Sequence, residues 1–373
     1  MRRFSPPHLG WPAATLLVAL CSAAGAQKHA YESTGYKATA IPIVNFSSDD
    51  GTGYGARVNI FDYDGKHAPY RRAYSAQAFL TTRGKWVHRL QFDAPTWRPA
   101  HRLEIEAVFE KEERANYFGD LSDAAIDTYT EDQQTFRQIA PLLRLMLIRD
   151  LRRPWRLLTE LRYSYNDITP NARQSSILKT LDPLGTDGGS LFQVRAALRY
   201  DTRDDYTNST RGVLEEFLVE YGLGAGGDFN GGRIGYQHRH FRRLAEGLVL
   251  AHRVNADLTF GDVPFFELLE LGGSSTVRGL PAARVRGEGR FLLNGELRWR
   301  GVQLSRRRHV FLGALLFADI GQIYTRSAGP DLDDWRRGTG TGLRFHWHST
   351  VVRADYGRTS GKTGIYITFQ QLF

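Results

Sequence analysis

The sequence predicts an all-β chain, a sixteen-stranded antiparallel β-barrel that crosses a membrane. Apolar and polar side chains alternate with a period of two in segment after segment, a pattern that a strand keeps and a helix does not. The segments are even in number. Their connections are alternately short and long, as in barrels that turn tightly at one membrane face and loop out at the other. The last segment, Gly364-Ile365-Tyr366-Ile367-Thr368-Phe369-Gln370-Gln371-Leu372-Phe373, reads as a strand running to the final residue, with Ile365, Ile367, Phe369 and Phe373 on one face. Phe369 and Phe373 are its terminal-strand signal. A bare edge of this kind invites aggregation, and closure onto the first strand removes it.

Each segment follows from the same rule. In 86–93, Trp86, Leu90 and Phe92 oppose Arg89, Gln91 and Asp93; in 102–110, Leu103, Ile105, Ala107 and Phe109 oppose Arg102, Glu104, Glu106 and Glu110. In 248–260, Leu248, Leu250, Val254, Ala256, Leu258 and Phe260 oppose Arg253, Asn255, Asp257 and Thr259; in 290–300, Phe291, Leu293, Leu297 and Trp299 oppose Asn294, Glu296, Arg298 and Arg300. The sixteen segments lie near 37–47, 54–63, 70–82, 86–94, 102–113, 135–148, 155–166, 191–201, 212–222, 232–242, 247–260, 290–300, 309–320, 340–348, 350–357 and 364–373. The long connections 114–134, 167–190, 261–289 and 321–339 then all fall on the external side, and 202–211 is the longest periplasmic one. Tyr163, Tyr165, Tyr200, Tyr221, Trp299 and Trp347 stand near strand ends, where an interfacial girdle belongs. A soluble sandwich or propeller also alternates. The lengths of about 9–12 residues suit a tilted membrane strand and favour the barrel.

Residues 1–26 read as a secretory signal, with Arg2 and Arg3, an apolar run from Ala13 to Leu20, and the cleavage site Ala24-Gly25-Ala26. Residues 27–36 are then a short periplasmic segment, and 37–373 the barrel domain. The single cysteine, Cys21, falls within the signal, which excludes a disulfide framework or a cysteine metal site in the exported chain. The formal charge is +9, and +7 once the two signal arginines are removed. Such an excess raises nucleic acid as a partner, but the arginines are spread along strands instead of clustered, so no nucleic acid is expected. No run of eighteen apolar residues follows the signal, which excludes a helical membrane protein but not a barrel.

The connection 261–289 contains Gly272-Gly273-Ser274-Ser275-Thr276-Val277-Arg278-Gly279-Leu280. Gly295-Glu296-Leu297-Arg298, Phe317-Ala318-Asp319-Ile320-Gly321, Gly340-Thr341-Gly342-Leu343-Arg344 and Arg353-Ala354-Asp355-Tyr356-Gly357 follow in order, and Asp201-Thr202-Arg203-Asp204 with Arg211-Gly212 precede it. This ordered set resembles the BamA/TamA family of outer-membrane assembly and translocation barrels, well over 193–373 and by strand pattern alone over 37–192. The Val277-Arg278-Gly279 triplet matches the family's signature on its sixth external loop.

The resemblance implies that this loop folds into the lumen and locks to the wall. Alternation turns Glu296, Arg298, Asp319, Arg344, Arg353 and Asp355 inward. Arg278 would pair with Asp319 or Glu296 as a planar guanidinium–carboxylate contact, with the remaining charges in support. It also implies a weak seam between first and last strands; Pro42 in the first strand lacks a ladder donor and suits an edge. The expected setting is the bacterial outer membrane, among its lipid and lipopolysaccharide. The expected work is insertion or translocation of proteins (or lipids). Client outer-membrane or secreted proteins, and a separate periplasmic partner, are the implied partners. Family assembly factors carry periplasmic POTRA domains ahead of the barrel, and residues 27–36 are too few for one, so a barrel-only member is expected.

The alternative is a passive porin-like channel; less favoured is a barrel hydrolase. No Gly-x-Ser-x-Gly elbow and no His-Glu-x-x-His helix occurs, so no enzyme and no cofactor is expected. His238 with His240, and His346 with His348, share strand faces but read as lumen or rim residues instead of a metal site.

Overall fold

The computed structural model describes residues 34–305, 310–347 and 350–373. The expected signal peptide lies outside the described residues, as does 27–33. The barrel strands, in chain order, are β1 (Thr34–Ser47), β2 (Gly51–Asp64), β3 (Arg72–Thr81), β4 (Lys85–Arg98), β5 (His101–Asn116), β6 (Thr135–Asp150), β7 (Trp155–Pro170), β8 (Gly189–Asp201), β9 (Gly212–Gly224), β10 (Asn230–Ala245) and β11 (Leu248–Asp262). A small hairpin of β12 (Leu269–Leu271) and β13 (Val285–Gly287) stands in the following connection. Then come β14 (Gly289–Ser305), β15 (Val310–Tyr324), β16 (Arg336–Trp347), β17 (Thr350–Arg358) and β18 (Thr363–Phe369).

These sixteen barrel strands form one closed antiparallel sheet in which every strand pairs with its barrel neighbour and β18 returns to β1. Each predicted segment is a strand, and many are longer than predicted; β5 and β6 each have 16 residues. The added pairs lie chiefly at the polar ends, such as Lys85 opposite Glu112, where the apolar alternation that reveals a membrane strand has stopped.

The two faces of the sheet separate by parity. Leu90, Leu143, Leu316 and Leu343 stand on the outer wall, while Glu106, Arg253, Glu296, Asp319 and Asp355 are buried on the inner one. Above the barrel, the short helices α1 (Asp123–Ile126), α2 (Glu131–Gln134) and α3 (Ile177–Leu181) cover the external mouth. Ser122 and Ser176 cap α1 and α3 by accepting the amides of Ala125 and Lys179. Tyr117, Phe136, Ile168, Ile177, Leu178 and Phe265 form a buried apolar cluster under this cover.

The closure is uneven. β1 pairs with β2 from Thr34 to Ser47, but with β18 only at Phe46–Ile367 and Ser47–Tyr366. Ser48 extends the contact through its amide to the Ile365 carbonyl at 3.0 Å and by accepting the Ile365 amide on Oγ at 2.8 Å. Below that point, the outer edge of β1 from Thr34 to Asn45 has no ladder partner among the described residues. Pro42 lies in the middle of this edge, opposite Ala56.

The end of the chain corrects the sequence expectation. β18 stops at Phe369, and the strand does not run to Phe373. Gln370 adopts a left-handed backbone with φ of 69°, which breaks the alternation. Phe369 stays on the ladder opposite Val352, whereas Phe373 turns into the lumen and packs on Phe241 and Ala251. Phe369 and Phe373 therefore do not share a face. The physical reason is nonlocal: Phe241, Ala251, Arg253 and Arg298 build a seat that a ten-residue window cannot show.

Candidate functional site

Arg278 enters the barrel on the loop between β11 and β14. Its Nε and Nη2 donate to the two carboxylate oxygens of Asp319 at 2.8 and 2.9 Å, and its own amide donates to Asp319 Oδ2 at 3.1 Å. Nη1 donates to Glu296 Oε1 at 2.8 Å and to Asp355 Oδ2 at 3.1 Å. The guanidinium lies 3.4 Å from the centre of the Phe317 ring. All of these groups are buried. One cation thus reaches carboxylates on three different strands, β14, β15 and β17, in a bidentate arrangement with Asp319 that a lysine has no geometry to copy.

The supporting charges complete the cluster. Arg298 donates to Glu296 Oε2 at 2.8 Å, and Arg344 donates to Asp355 Oδ1 at 2.5 Å. Arg353 donates to the Ser274 carbonyl of the loop at 3.1 Å and to Thr368 Oγ1 at 2.5 Å. Four guanidinium groups therefore face three carboxylates, so the centre is close to neutral instead of a strong field.

Small and apolar residues set the approach. Val277 is fully buried with Leu271, Leu280 and Leu292. Gly279 has φ of 103° and donates its amide to the Tyr366 hydroxyl at 3.2 Å. A methyl group at Gly357 would stand within 2.9 Å of Arg278, and one at Gly338 within 2.4 Å of its carbonyl oxygen, so both wall glycines permit the loop to lie flat.

The loop is also tied at its rim. Arg284 donates to Asp123 from Nε and Nη2 at 2.9 and 2.6 Å, and the Ala282 amide donates to Asp49 at 2.9 Å. The Arg284 bond holds the Asp123 carboxyl below its ordinary pKa, whereas burial pushes Asp49 above its own.

The structure brings Val277, Arg278, Gly279, Glu296, Arg298, Asp319, Arg344, Arg353 and Asp355 into this one cluster, and it places Phe369 and Phe373 elsewhere. Sequence reasoning passed over Phe317, Asn294 and Tyr366. Phe317 shares the inward parity of Asp319 and was open to the same argument. Asn294, which bridges Thr276 and Asp319 at 2.7 Å each, also has that parity. Tyr366 sits on a strand whose inward face was not assigned.

Of the lumen or rim position expected, the histidine pair of β10 takes the outer rim: His240 stands opposite Val213, the second residue of β9 at its periplasmic end. His238 and His240 share parity with the outward Ile234, and His238 Nδ1 meets Glu215 at 2.7 Å. His346 is buried on the inner wall, and His348 lies outside the described residues. Among the described residues, no group of three or more His, Cys, Asp or Glu is placed to hold a metal ion.

The closed barrel and its buried loop cluster define a class, an outer-membrane barrel with an external loop folded into its own lumen. The chain belongs to the Omp85 superfamily, whose domain model matches residues 73–370. It is accordingly a protein of the bacterial outer membrane. It is similar in structure to BamA from Haemophilus ducreyi lacking POTRA domains 1–3, at 14% identity and a TM-score of 0.63, over 91% of this chain and 69% of that one. It is also similar to CdiB from Acinetobacter baumannii, at 13% identity and 0.57, over 90% of this chain and 60% of that one. CdiB from Escherichia coli matches at 12% identity and 0.60, over 89% of this chain and 62% of that one. The chain thus spans less than two thirds of either CdiB, and at these identities the likeness is one of fold. No curated protein matches the sequence.

Proposed function

We propose that this barrel inserts or translocates polypeptide at the bacterial outer membrane through the β1–β18 seam, with the Arg278 cluster as the lock that keeps the loop in the lumen. One observation carries the reading: β1 has fourteen partners on β2 and two on β18. Cross-strand pairs contribute about 0.2–1 kcal/mol each, so a seam of this length opens at small cost while the rest of the wall stays closed. The free β1 edge offers main-chain donors and acceptors to an incoming strand, which favours polypeptide over lipid as cargo. A loop held from one end and a tail from the other fill the lumen, which disfavours a passive pore. No catalytic role is proposed. Delivery of clients to the seam is assigned to a separate periplasmic partner.

A disulfide across the seam tests this. Phe46 and Ile367 are direct ladder partners, a separation that suits a cystine. The Phe46→Cys, Ile367→Cys protein is reconstituted in vesicles and assayed for insertion of a client barrel. Oxidation should stop insertion, and reductant should restore it, while heat-modifiable electrophoretic mobility stays normal. Insertion at the unmodified rate by the oxidised barrel rejects the seam.

A further inference from the structure

The basic excess of the chain has a location. The external connections among the described residues, from 48–50 to 359–362, carry sixteen carboxylates against eight basic side chains. The described periplasmic connections (65–71, 99–100, 151–154, 202–211 and 246–247) reverse the balance, with six basic side chains against three acidic. At the strand ends beside these turns, five arginines gather between β3 and β7: Arg72, Arg98, Arg149, Arg152 and Arg153.

Their side chains are exposed, and two lie on the outer wall by parity. Arg72 precedes the outward Tyr74 by two residues on β3, and Arg149 shares the parity of the outward Leu143 and Leu145 on β6. Arg98 lies 4.5 Å over the exposed Trp97 ring. Arg98 pairs with His101, and His101 with Arg149, which sets them at one height across β4, β5 and β6. Arg152 and Arg153 occupy the turn that follows.

The nearby carboxylates are already engaged. Asp62, which stands opposite Arg72 on the ladder, pairs with Arg71 at 3.9 Å; Asp93 accepts from Arg102 and Tyr70, Glu104 pairs with Arg102, and Asp150 accepts from Arg156. Among the described residues, none of the five arginines has a carboxylate partner. Trp97, Trp155 and Tyr200 stand at the same rim, and such amphipathic rings mark the headgroup level of a bilayer.

We infer that the β3–β7 periplasmic rim is a binding belt for anionic phospholipid headgroups of the inner leaflet. A guanidinium forks onto a phosphodiester as it does onto a carboxylate, and the apolar wall directly above receives the acyl chains of the same lipid. This double contact favours lipid over an acidic protein, for which the apolar residues beside Arg72 and Arg149 have no use.

The test uses the full barrel in nanodiscs made from equal parts phosphatidylcholine and phosphatidylglycerol. Lipids that stay bound after mild detergent extraction are counted by native mass spectrometry. Wild type should retain phosphatidylglycerol over phosphatidylcholine by about fivefold or more, the factor that one surface arginine supplies. The enrichment should fall toward unity in an R72Q/R149Q/R152Q/R153Q variant. It should persist in the matching lysine variant and in Arg173→Gln on an external loop. High salt should weaken it in wild type, a readout that needs no variant to fold. Absence of enrichment in wild type, enrichment equal in the glutamine variant, or co-purification of an acidic protein with no lipid preference overturns the inference.

Discussion

Arg298 joins the inserted loop to the inserted tail. Its Nη2 donates to the Phe373 main-chain oxygen at 3.1 Å, and its Nε donates to Glu296 at 2.8 Å. The other oxygen of Glu296 accepts from Arg278 at 2.8 Å. The loop arrives from the external side and the tail from the periplasmic side, yet they share one guanidinium–carboxylate link inside the lumen.

The Phe373 ring is the anchor of the tail, so its removal should free residues 370–373 without opening the barrel. The ring packs on Phe241 and lies 4.9 Å from the Arg298 guanidinium. Phe373→Ala should cost the tail about 3–5 kcal/mol, the range for truncating a buried aromatic. Hydrogen exchange should show the Gln370 amide, which donates to the Val351 carbonyl at 2.7 Å, deprotected while the β17 amides stay slow. Unchanged tail protection would mean that Gln371, which accepts from Arg344 at 2.9 Å, holds the tail by itself.

Arg278→Ala should destabilise the folded barrel by about 3–5 kcal/mol, the cost of removing one partner from a buried ion pair. Arg298, Arg344 and Arg353 remain to balance Glu296 and Asp355, but Asp319 loses its guanidinium and keeps only two neutral donors, the Asn294 side-chain amide and the main-chain amide of residue 278. Arg278→Lys should fall between wild type and alanine, because it restores charge without the two-oxygen grip on Asp319. Heat-modifiable mobility followed against temperature measures both. An alanine variant as resistant as wild type would reduce the cluster to wall charges without a locking role.

Much of this arrangement is legible in the sequence because barrels alternate strictly. Leu297 and Trp299 facing lipid force Glu296 and Arg298 inward, and the same parity turns Asp319, Arg344 and Asp355 toward the centre. The sequence does not disclose which inward residues meet, since that depends on strand register: Asp319 stands opposite Asn294, and Arg344 opposite Arg353. The tail failed for a related reason. Ile365, Ile367 and Phe369 obey the alternation, so nothing local announced the left-handed Gln370 or a seat built from β10, β11 and β14.

The wall glycines provide a steric test that leaves every charge in place. Gly357→Ala puts a methyl group 2.8 Å from the Arg278 carbonyl carbon, and Gly357 has an ordinary backbone, so the only penalty is the collision. The loop should shift off the wall at a cost of about 1–3 kcal/mol, as for overpacking a tight core. Gly295→Ala is the control, because its methyl group would point to the outer face with nothing nearer than 3.8 Å. Thermal resistance should drop for the first and hold for the second. Equal behaviour would show that the loop has slack at this contact.

The rim ties predict how acid affects the loop. Asp123 accepts from Arg284 and lies 3.3 Å from Lys362, and these bonds hold its carboxyl below the ordinary 3.8. A depressed carboxylate stabilises the fold above its unfolded pKa and loses that contribution as pH falls through the folded value. Asp49 has the opposite sign. Burial raises its pKa, so its neutral form suits the fold, and stability declines as pH rises through that raised value. Exchange protection factors for Leu121–Ile126 should therefore stay level from neutral pH to about 4 and fall only below it. Asp123→Asn should remove the acid step, and Asp49→Asn should leave it. Loosening that begins near pH 6 would point to histidine titration and would rule out the Asp123–Arg284 pair as the acid-sensitive tie.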